Sequence, residues 1–168
     1  MNLLNNAIFK VPMPVNEPVH DYEPGSPERA SLKTALADIA ARKIEIPLII
    51  GGKEIRTGKL GKVVMPHDHG HVLAEYHQAG EEEIQLAIGT AMAAKQEWAN
   101  LRWEERAGIF LKAADLLAGK YRFEMNALSM LSTSKSAYQA EIDATCELID
   151  FLRFNVYFAQ QIYSDQPL

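Results

Sequence analysis

The chain has 168 residues, enough for one ordinary domain, and its 48% hydrophobic and 23% charged residues are typical of a globular protein. Its formal net charge of −5 and the lack of a basic stripe argue against a nucleic-acid binder. A single cysteine excludes an internal disulfide, and no apolar run is long enough to span a bilayer.

The first 27 residues predict an extended arm, because prolines interrupt any helix and restrain the residues before them. These prolines are Pro12, Pro14, Pro18, Pro24 and Pro27. Such an arm is ordered only when it lies across a larger body. The segment 1–6 has neither the charged start and apolar core of a secretory signal nor the Arg-rich character of a mitochondrial presequence, so we predict a cytoplasmic location.

Residues 28–168 are predicted to form one body that begins with a helix and a small β section. Ser26 and Pro27 are typical of an N-cap and a first helical residue, and the helix is expected to run to about Lys43. Three short apolar runs follow, separated by turn signals such as Gly51-Gly52: residues 46–50, 63–65 and 72–76. They predict a small antiparallel meander with no strand–helix–strand repeat, and therefore no Rossmann core.

From Gly80 onward, apolar residues recur at helical spacing. The pattern predicts helices over 81–98, 102–118 and 122–132, with Gly119 ending the second. A polar run at 132–136 separates the third from a longer helix. We therefore expect the chain alone to be mostly α-helical with a small antiparallel β section.

The long helix, free of glycine and proline from Ser136 to Ser164, carries the candidate site. On a helical wheel it is apolar on two sides, and Glu147 falls inside an arc formed by Phe151, Phe154 and Phe158. Because a helix that is apolar all round is normally enclosed, we predict that Glu147 is buried. A buried carboxylate needs a cation, a hydrogen-bond donor or a ligand as its partner. On the residues alone, an intramolecular Arg or Lys is the commoner partner.

Two other patterns resemble ligand sites, but each lacks a feature that such a site needs. His67, His69 and His71 alternate as zinc ligands on a strand would, yet they follow Pro66 in a polar turn with no fourth-ligand signal, so we predict no metal. Gly51-Gly52-Lys53 lacks the rest of a phosphate-binding loop, and no G-x-G-x-x-G follows a strand.

The remaining polar residues of the long helix have ordinary structural explanations. Cys146 lies in mid-helix with no histidine near it in sequence, so we predict a small core residue rather than a nucleophile. Asp143 and Asp150 are predicted to belong to a partly solvated acidic strip.

Several stretches carry a family resemblance. The run from Gln139 to Asn155 resembles the corresponding helix of the Δ1-pyrroline-5-carboxylate dehydrogenase branch of the aldehyde dehydrogenase superfamily. The segment from Trp98 to Leu117 resembles aldehyde dehydrogenases in general. Shorter matching stretches occur at residues 25–29, 46–51, 54–55 and 69–71. The resemblance covers nearly the whole chain but only the N-terminal part of the family's length.

The resemblance implies an α/β aldehyde dehydrogenase fold, of which this chain supplies the N-terminal helical layer and small β section. Family members oxidise L-glutamate γ-semialdehyde, derived from 1-pyrroline-5-carboxylate, to L-glutamate with NAD in proline catabolism. The glutamate at the position of Glu147 helps hold the amino acid end of the substrate, so the resemblance favours a substrate contact over an ion pair. The catalytic and cofactor-binding residues lie downstream in the family, so none is assigned here.

We therefore predict that this chain is an N-terminal fragment, which alone is inactive and binds no NAD. The intact enzyme is predicted to be a homo-oligomer that uses NAD and a small-molecule substrate. No nucleic-acid or membrane partner is expected. The alternative is a non-catalytic binding or assembly module derived from an aldehyde dehydrogenase N-terminus. A large exposed apolar surface favours the fragment, whereas a monodisperse, cooperatively melting protein favours the module.

Overall fold

A computed structural model describes residues 8–165, and residues 8–23 form no helix or strand. This stretch lies against the long C-terminal helix. The Val11 N–H donates to Gln160 Oε1 at 2.6 Å, and the Glu17 N–H donates to Asp150 Oδ1 at 2.7 Å. Segment 1–6, on which the predicted location rests, lies outside the described residues, and the division of the chain into an arm and a body stays a prediction.

The first helix, α1 (Pro27–Ala40), begins where its capping residues predict. Ser26 Oγ accepts from the Arg29 N–H at 3.2 Å, and Pro27 occupies the first helical position, where a missing N–H costs nothing. The helix ends three residues before the predicted Lys43, because the chain turns at Ala41 to enter a strand.

The β section forms two small sheets rather than one antiparallel meander. Pro47 divides the predicted 46–50 strand, so that its two halves join different sheets. The five strands are β1 (Ile44–Ile46), β2 (Leu48–Ile50), β3 (Lys53–Ile55), β4 (Leu60–Met65) and β5 (Asp68–His77). The first sheet has the order β1-β5-β4, in which β1 pairs parallel with β5 and β4 pairs antiparallel with it. The prediction that all strands are antiparallel is therefore wrong for β1, which pairs parallel with β5 although β2, β3 and β4 lie between them in the chain.

The second sheet is the hairpin of β2 and β3, which pair antiparallel. Gly51 and Gly52 turn this hairpin with φ of +59° and +75°, a left-handed conformation that favours glycine.

Three helices follow as predicted, with small shifts at their ends: α2 (Glu81–Asn100), α3 (Trp103–Ala118) and α4 (Arg122–Thr133). The N–H of Gly80 donates to Glu83 Oε2 at 2.7 Å, which satisfies one free donor at the start of α2. Gly119 caps α3, and Ser134 caps α4 in the left-handed region at φ +58°.

The long helix is continuous but changes its winding near its beginning. It consists of α5 (Ala137–Gln139), a π-helical segment (Ala140–Cys146) and α6 (Glu147–Ser164). In the π segment the hydrogen bond closes over five residues, as shown by the Glu147 N–H bonding to Ile142 O. The uniform wheel used for prediction therefore holds for α6 but is out of phase before it.

Helices α1 and α4 pack on each other, as do α3 and α6. The main cluster of buried side chains joins the arm, α1, the first sheet and α4. It contains Tyr22, Leu32, Ile39, Met65, Leu73, Ala127 and Leu131. The arm contributes Tyr22 to this cluster and also contacts the long helix.

Candidate functional site

The buried carboxylate of the long helix belongs to Glu141, in the π segment, and not to Glu147. The Glu141 side chain is 0% exposed. Its Oε1 accepts hydrogen bonds from Arg122 Nε at 3.1 Å, from Arg122 Nη2 and from the His20 N–H at 2.9 Å. Its Oε2 accepts from Tyr22 Oη at 2.6 Å and from Asn126 Nδ2 at 2.5 Å. Donors from α4 and from the arm thus satisfy both oxygens.

The pKa values of this cluster follow from its burial and its hydrogen bonds. Burial alone would raise the pKa of Glu141, but the bonds from Arg122, Tyr22, His20 and Asn126 lower it to about 2. Burial, reinforced by the adjacent Glu141 carboxylate, raises the pKa of Tyr22 above its ordinary value. Glu141 is therefore a structural anion at neutral pH.

The same cluster fastens the arm through Arg122, which is 3% exposed. Arg122 donates to Glu17 Oε1 at 2.5 Å and to the Pro18 carbonyl at 2.6 Å. Arg153 Nη1 donates to Glu17 Oε2 at 2.5 Å. Two cations from different helices therefore hold one carboxylate of the arm.

Glu147 lies elsewhere, and the prediction that it is buried is wrong. Its side chain is exposed, because the aromatic side of α6 is itself uncovered: Phe151 is 55% and Phe158 48% exposed. The helix instead buries Ile149 and Val156. Among residues 8–165, the Glu147 carboxylate has no hydrogen-bond or ion-pair partner, so the Arg or Lys that is the commoner partner on the residues alone is not found there.

Glu147 lines an open groove of about 730 Å³ between the arm and the long helix. Its lining combines carboxylates with phenyl rings: Asn16, Glu17, Val19, Ile142, Asp143, Cys146, Glu147, Asp150, Phe151, Phe154, Asn155 and Phe158. Carboxylates and aromatic faces both attract a cation. Arg122 and Arg153 hold Glu17, Lys135 pairs with Asp143 at 3.1 Å, and Asp150 accepts two hydrogen bonds from the arm. Among the described residues, the Glu147 carboxylate is thus the acidic group of this groove that has no side-chain partner to compete with a positively charged ligand.

The other sequence candidates do not contribute to this groove as ligands or nucleophiles. Cys146 is buried, and burial together with the negative Glu141 raises the pKa of its thiol to about 11, which disfavours the reactive thiolate. The His67 ring nitrogen Nδ1 lies 2.7 Å from Ser134 Oγ on the surface. No metal-holding group of His, Cys, Asp or Glu occurs in the described part of the chain.

Sequence reasoning missed Glu141, Arg122, Asn126 and the arm residues that meet them. The one available signal was that Glu141 precedes Glu147 on the same Gly- and Pro-free helix. Its partners come from positions up to 121 residues away in the chain, which no local pattern connects.

Comparison with known proteins identifies the family. The profile of the aldehyde dehydrogenase family matches residues 55–167. The chain belongs to the aldehyde dehydrogenase family. Its relatives include the Δ1-pyrroline-5-carboxylate dehydrogenase of Agaricus bisporus, 47% identical over 96% of this chain and 30% of that protein. The mitochondrial enzyme of that name from Homo sapiens is 43% identical over 91% of this chain and 27% of its own length.

Solved structures of the same kind match the fold. The Δ-pyrroline-5-carboxylate dehydrogenase of Mycobacterium tuberculosis, bound with NAD, superposes with a TM-score of 0.94 at 52% identity, covering 98% of this chain and 31% of that one. A mutant form of the 1-pyrroline-5-carboxylate dehydrogenase of Thermus thermophilus gives 0.87 at 25% identity, covering 95% and 31%. The aldehyde dehydrogenase chain described here thus spans about 30% of the length of the relatives it matches. The predicted fold, mostly helical with small sheets as part of an aldehyde dehydrogenase, is confirmed.

The described residues do not form a dinucleotide site of the Rossmann type. A dinucleotide site of the Rossmann type needs a parallel sheet with a glycine-rich turn leading into a helix. Residues 8–165 contain a three-stranded sheet with one parallel pair and a two-stranded hairpin.

In the same range no helix has the length and apolar character needed to cross a bilayer.

Proposed function

We propose that this chain supplies the N-terminal part of an NAD-dependent dehydrogenase that oxidises L-glutamate γ-semialdehyde to L-glutamate in proline catabolism. One observation carries the proposal: pyrroline-5-carboxylate dehydrogenases at 47% and 52% identity match 96% and 98% of the chain. The role of NAD is supported by the relative from M. tuberculosis, whose structure holds that cofactor. The 168 residues alone are proposed to be inactive and to bind no NAD.

Within that enzyme, we assign to Glu147 the contact with the amino group of the substrate. An ammonium group is attracted both by a carboxylate and by the faces of phenyl rings, and the groove offers Glu147 beside Phe151 and Phe154. The carboxylate has no cation among the described residues to compete with the substrate. Glu147 would therefore orient the amino acid end and leave the aldehyde end to residues outside this chain.

The uncovered apolar surface supports a part of a larger fold over a self-sufficient module. On α3 and α6, Ile109 is 53%, Phe110 44% and Leu148 38% exposed. A second groove, of about 570 Å³, is lined mostly by apolar and aromatic side chains of α2, α3 and α6, including Trp98, Trp103 and Phe110. Surfaces of this kind are normally covered by other structure.

The test is NADH formation by the purified full-length gene product with 1-pyrroline-5-carboxylate, which is in equilibrium with the semialdehyde. The 168-residue chain serves as the matched control and is expected to form no NADH. A second substrate, an aliphatic aldehyde of the same length without the amino group, is expected to react with a higher KM. A full-length protein that forms no NADH with either substrate would overturn the proposed activity.

A homo-oligomeric state and a cytoplasmic location of the intact enzyme belong to the same proposal. Mass measurement of the full-length protein in solution checks the first, and cell fractionation checks the second. Recovery of the protein in mitochondria, the location named for the human relative, would contradict the cytoplasmic assignment.

A further inference from the structure

The groove that contains Glu147 has two sides of different origin. One side is the long helix, which supplies Glu147 itself and the phenyl rings. The other is the arm, which supplies Asn16, Glu17 and Val19 and has no helix or strand to hold its shape. A wall made of irregular chain keeps its position only through specific contacts.

Asp150 makes two of those contacts. Its Oδ2 accepts from Asn16 Nδ2 at 2.7 Å, and its Oδ1 accepts from the Glu17 N–H at 2.7 Å. Asp150 lies three residues after Glu147 in α6, so the two side chains are neighbours on the helix surface. The residue that holds the arm is therefore adjacent to the residue assigned to the substrate.

The contact also determines where negative charge lies in the groove. With its backbone held by Asp150, Glu17 turns its carboxylate to Arg122 and Arg153, both at 2.5 Å. Without the contact to Asp150, the Glu17 carboxylate would be free to leave Arg122 and Arg153 and to act as a second negative group in the groove. Asp150 would also lose its two donors and compete with Glu147 for a cationic ligand.

We propose that Asp150 is a positioning residue for the substrate groove, where it holds Asn16 and Glu17 as the wall that faces Glu147. The proposal rests on the proposed function, since the ligand is taken to be the amino acid end of the semialdehyde. Asp150 acts through the arm and is not assigned a direct contact with the reacting atoms.

The experiment uses the full-length enzyme with NAD and 1-pyrroline-5-carboxylate and compares KM with kcat. In D150A, KM is expected to rise about tenfold while kcat stays within about twofold, because the wall is displaced and the chemistry is not. The control is Q160A, which removes the contact between the arm and the same helix at Val11, outside this groove. Its KM is expected to remain that of the wild type.

A charge exchange tests the contact itself. N16D places two carboxylates opposite each other and is expected to raise KM, whereas N16D/D150N restores a donor–acceptor pair in the opposite direction and is expected to bring KM back to within about twofold. This pair of variants also decides the question if D150A fails to fold.

The outcomes separate this inference from the proposed function. An inactive wild-type enzyme overturns the proposed function and, with it, this inference. An active wild type in which D150A and Q160A change KM equally, or in which N16D/D150N does not restore the KM lost in N16D, leaves the function standing and overturns the role of Asp150.

Discussion

Two glutamates of one helix, six positions apart, lie in opposite environments. Glu141 is fully buried, accepts hydrogen bonds from Arg122, His20, Tyr22 and Asn126, and has a pKa lowered to about 2. Glu147 is exposed beside phenyl rings, and its carboxylate has no partner among the described residues. The difference arises from what lies opposite each residue: α4 and the arm cover Glu141, whereas the aromatic side of α6 is uncovered.

The comparison shows that an apolar surrounding on a helical wheel does not establish burial. The wheel correctly groups Glu147 with phenylalanines, but those rings line an open groove. Burial of a charge requires donors, and the donors to Glu141 come from Arg122, Tyr22 and Asn126, which are distant in sequence. Glu141 is accordingly assigned to stability, and Glu147 is proposed to act on substrate.

The largest effect is expected on removing the cation of the buried cluster. R122M leaves Glu141 and Glu17 without their main partner and is expected to lower the free energy of unfolding by about 3–5 kcal/mol. Urea unfolding of the full-length protein measures it. The control is R42M, which breaks an exposed pair with Glu124 at 3.7 Å and is expected to cost at most about 1 kcal/mol. Equal losses in the two variants would contradict the buried cluster.

The next effect is a pH dependence that belongs to Glu141. Its folded pKa of about 2 lies below the ordinary 4.5, so its contribution is complete above pH 4.5 and is lost as the pH falls from 4.5 to 2. The contribution is about 3 kcal/mol. Unfolding free energies measured across that pH range should therefore fall less steeply in E141Q than in the wild type. A wild-type slope that E141Q leaves unchanged would assign the titration to another carboxyl group.

The reactivity of the Cys146 thiol reports on the same buried cluster, because Cys146 lies beside Glu141. With its pKa raised from 9.0 to about 11, the thiolate fraction at pH 8 is about 100-fold lower than that of an ordinary cysteine. Alkylation of the native chain is expected to be slower than that of the urea-unfolded chain by at least this factor. Equal rates would mean that the thiol is accessible and ionised, contrary to its position beside Glu141.

The smallest effect on stability is expected at Glu147. Because its side chain is exposed and unpaired among the described residues, E147Q is expected to change the free energy of unfolding by no more than about 0.5 kcal/mol. The same urea titration checks it beside E141Q. A loss of several kcal/mol would mean that Glu147 has a structural partner.

The sequence was sufficient for the features that local chemistry determines. The cap at Ser26, the turn at Gly51-Gly52 and the helix end at Gly119 all lie where their residue types predict. The sequence was insufficient for features that depend on contacts with a segment distant in the chain. Nothing near β1 indicates that it pairs parallel with β5, since strand partners are chosen across the whole sheet.

The candidate site shows the same division. The family resemblance singles out Glu147, but its exposure follows from packing that the wheel does not contain. The π segment adds a further obstacle, because one extra residue per hydrogen-bonded turn shifts the phase between Glu141 and α6. The sequence pattern places Asp150 in a solvated acidic strip, since its partners, Asn16 and Glu17, lie more than 130 positions earlier.

The most direct measurement compares E141Q and E147Q in the full-length enzyme, by kcat/KM with 1-pyrroline-5-carboxylate and by melting temperature. E147Q is expected to lower kcat/KM by about tenfold or more with no change in melting temperature, because it removes the charge proposed to face the substrate. E141Q is expected to lower the melting temperature and to retain most of its kcat/KM while folded. A wild-type kcat/KM in E147Q would contradict the assignment of the two carboxylates.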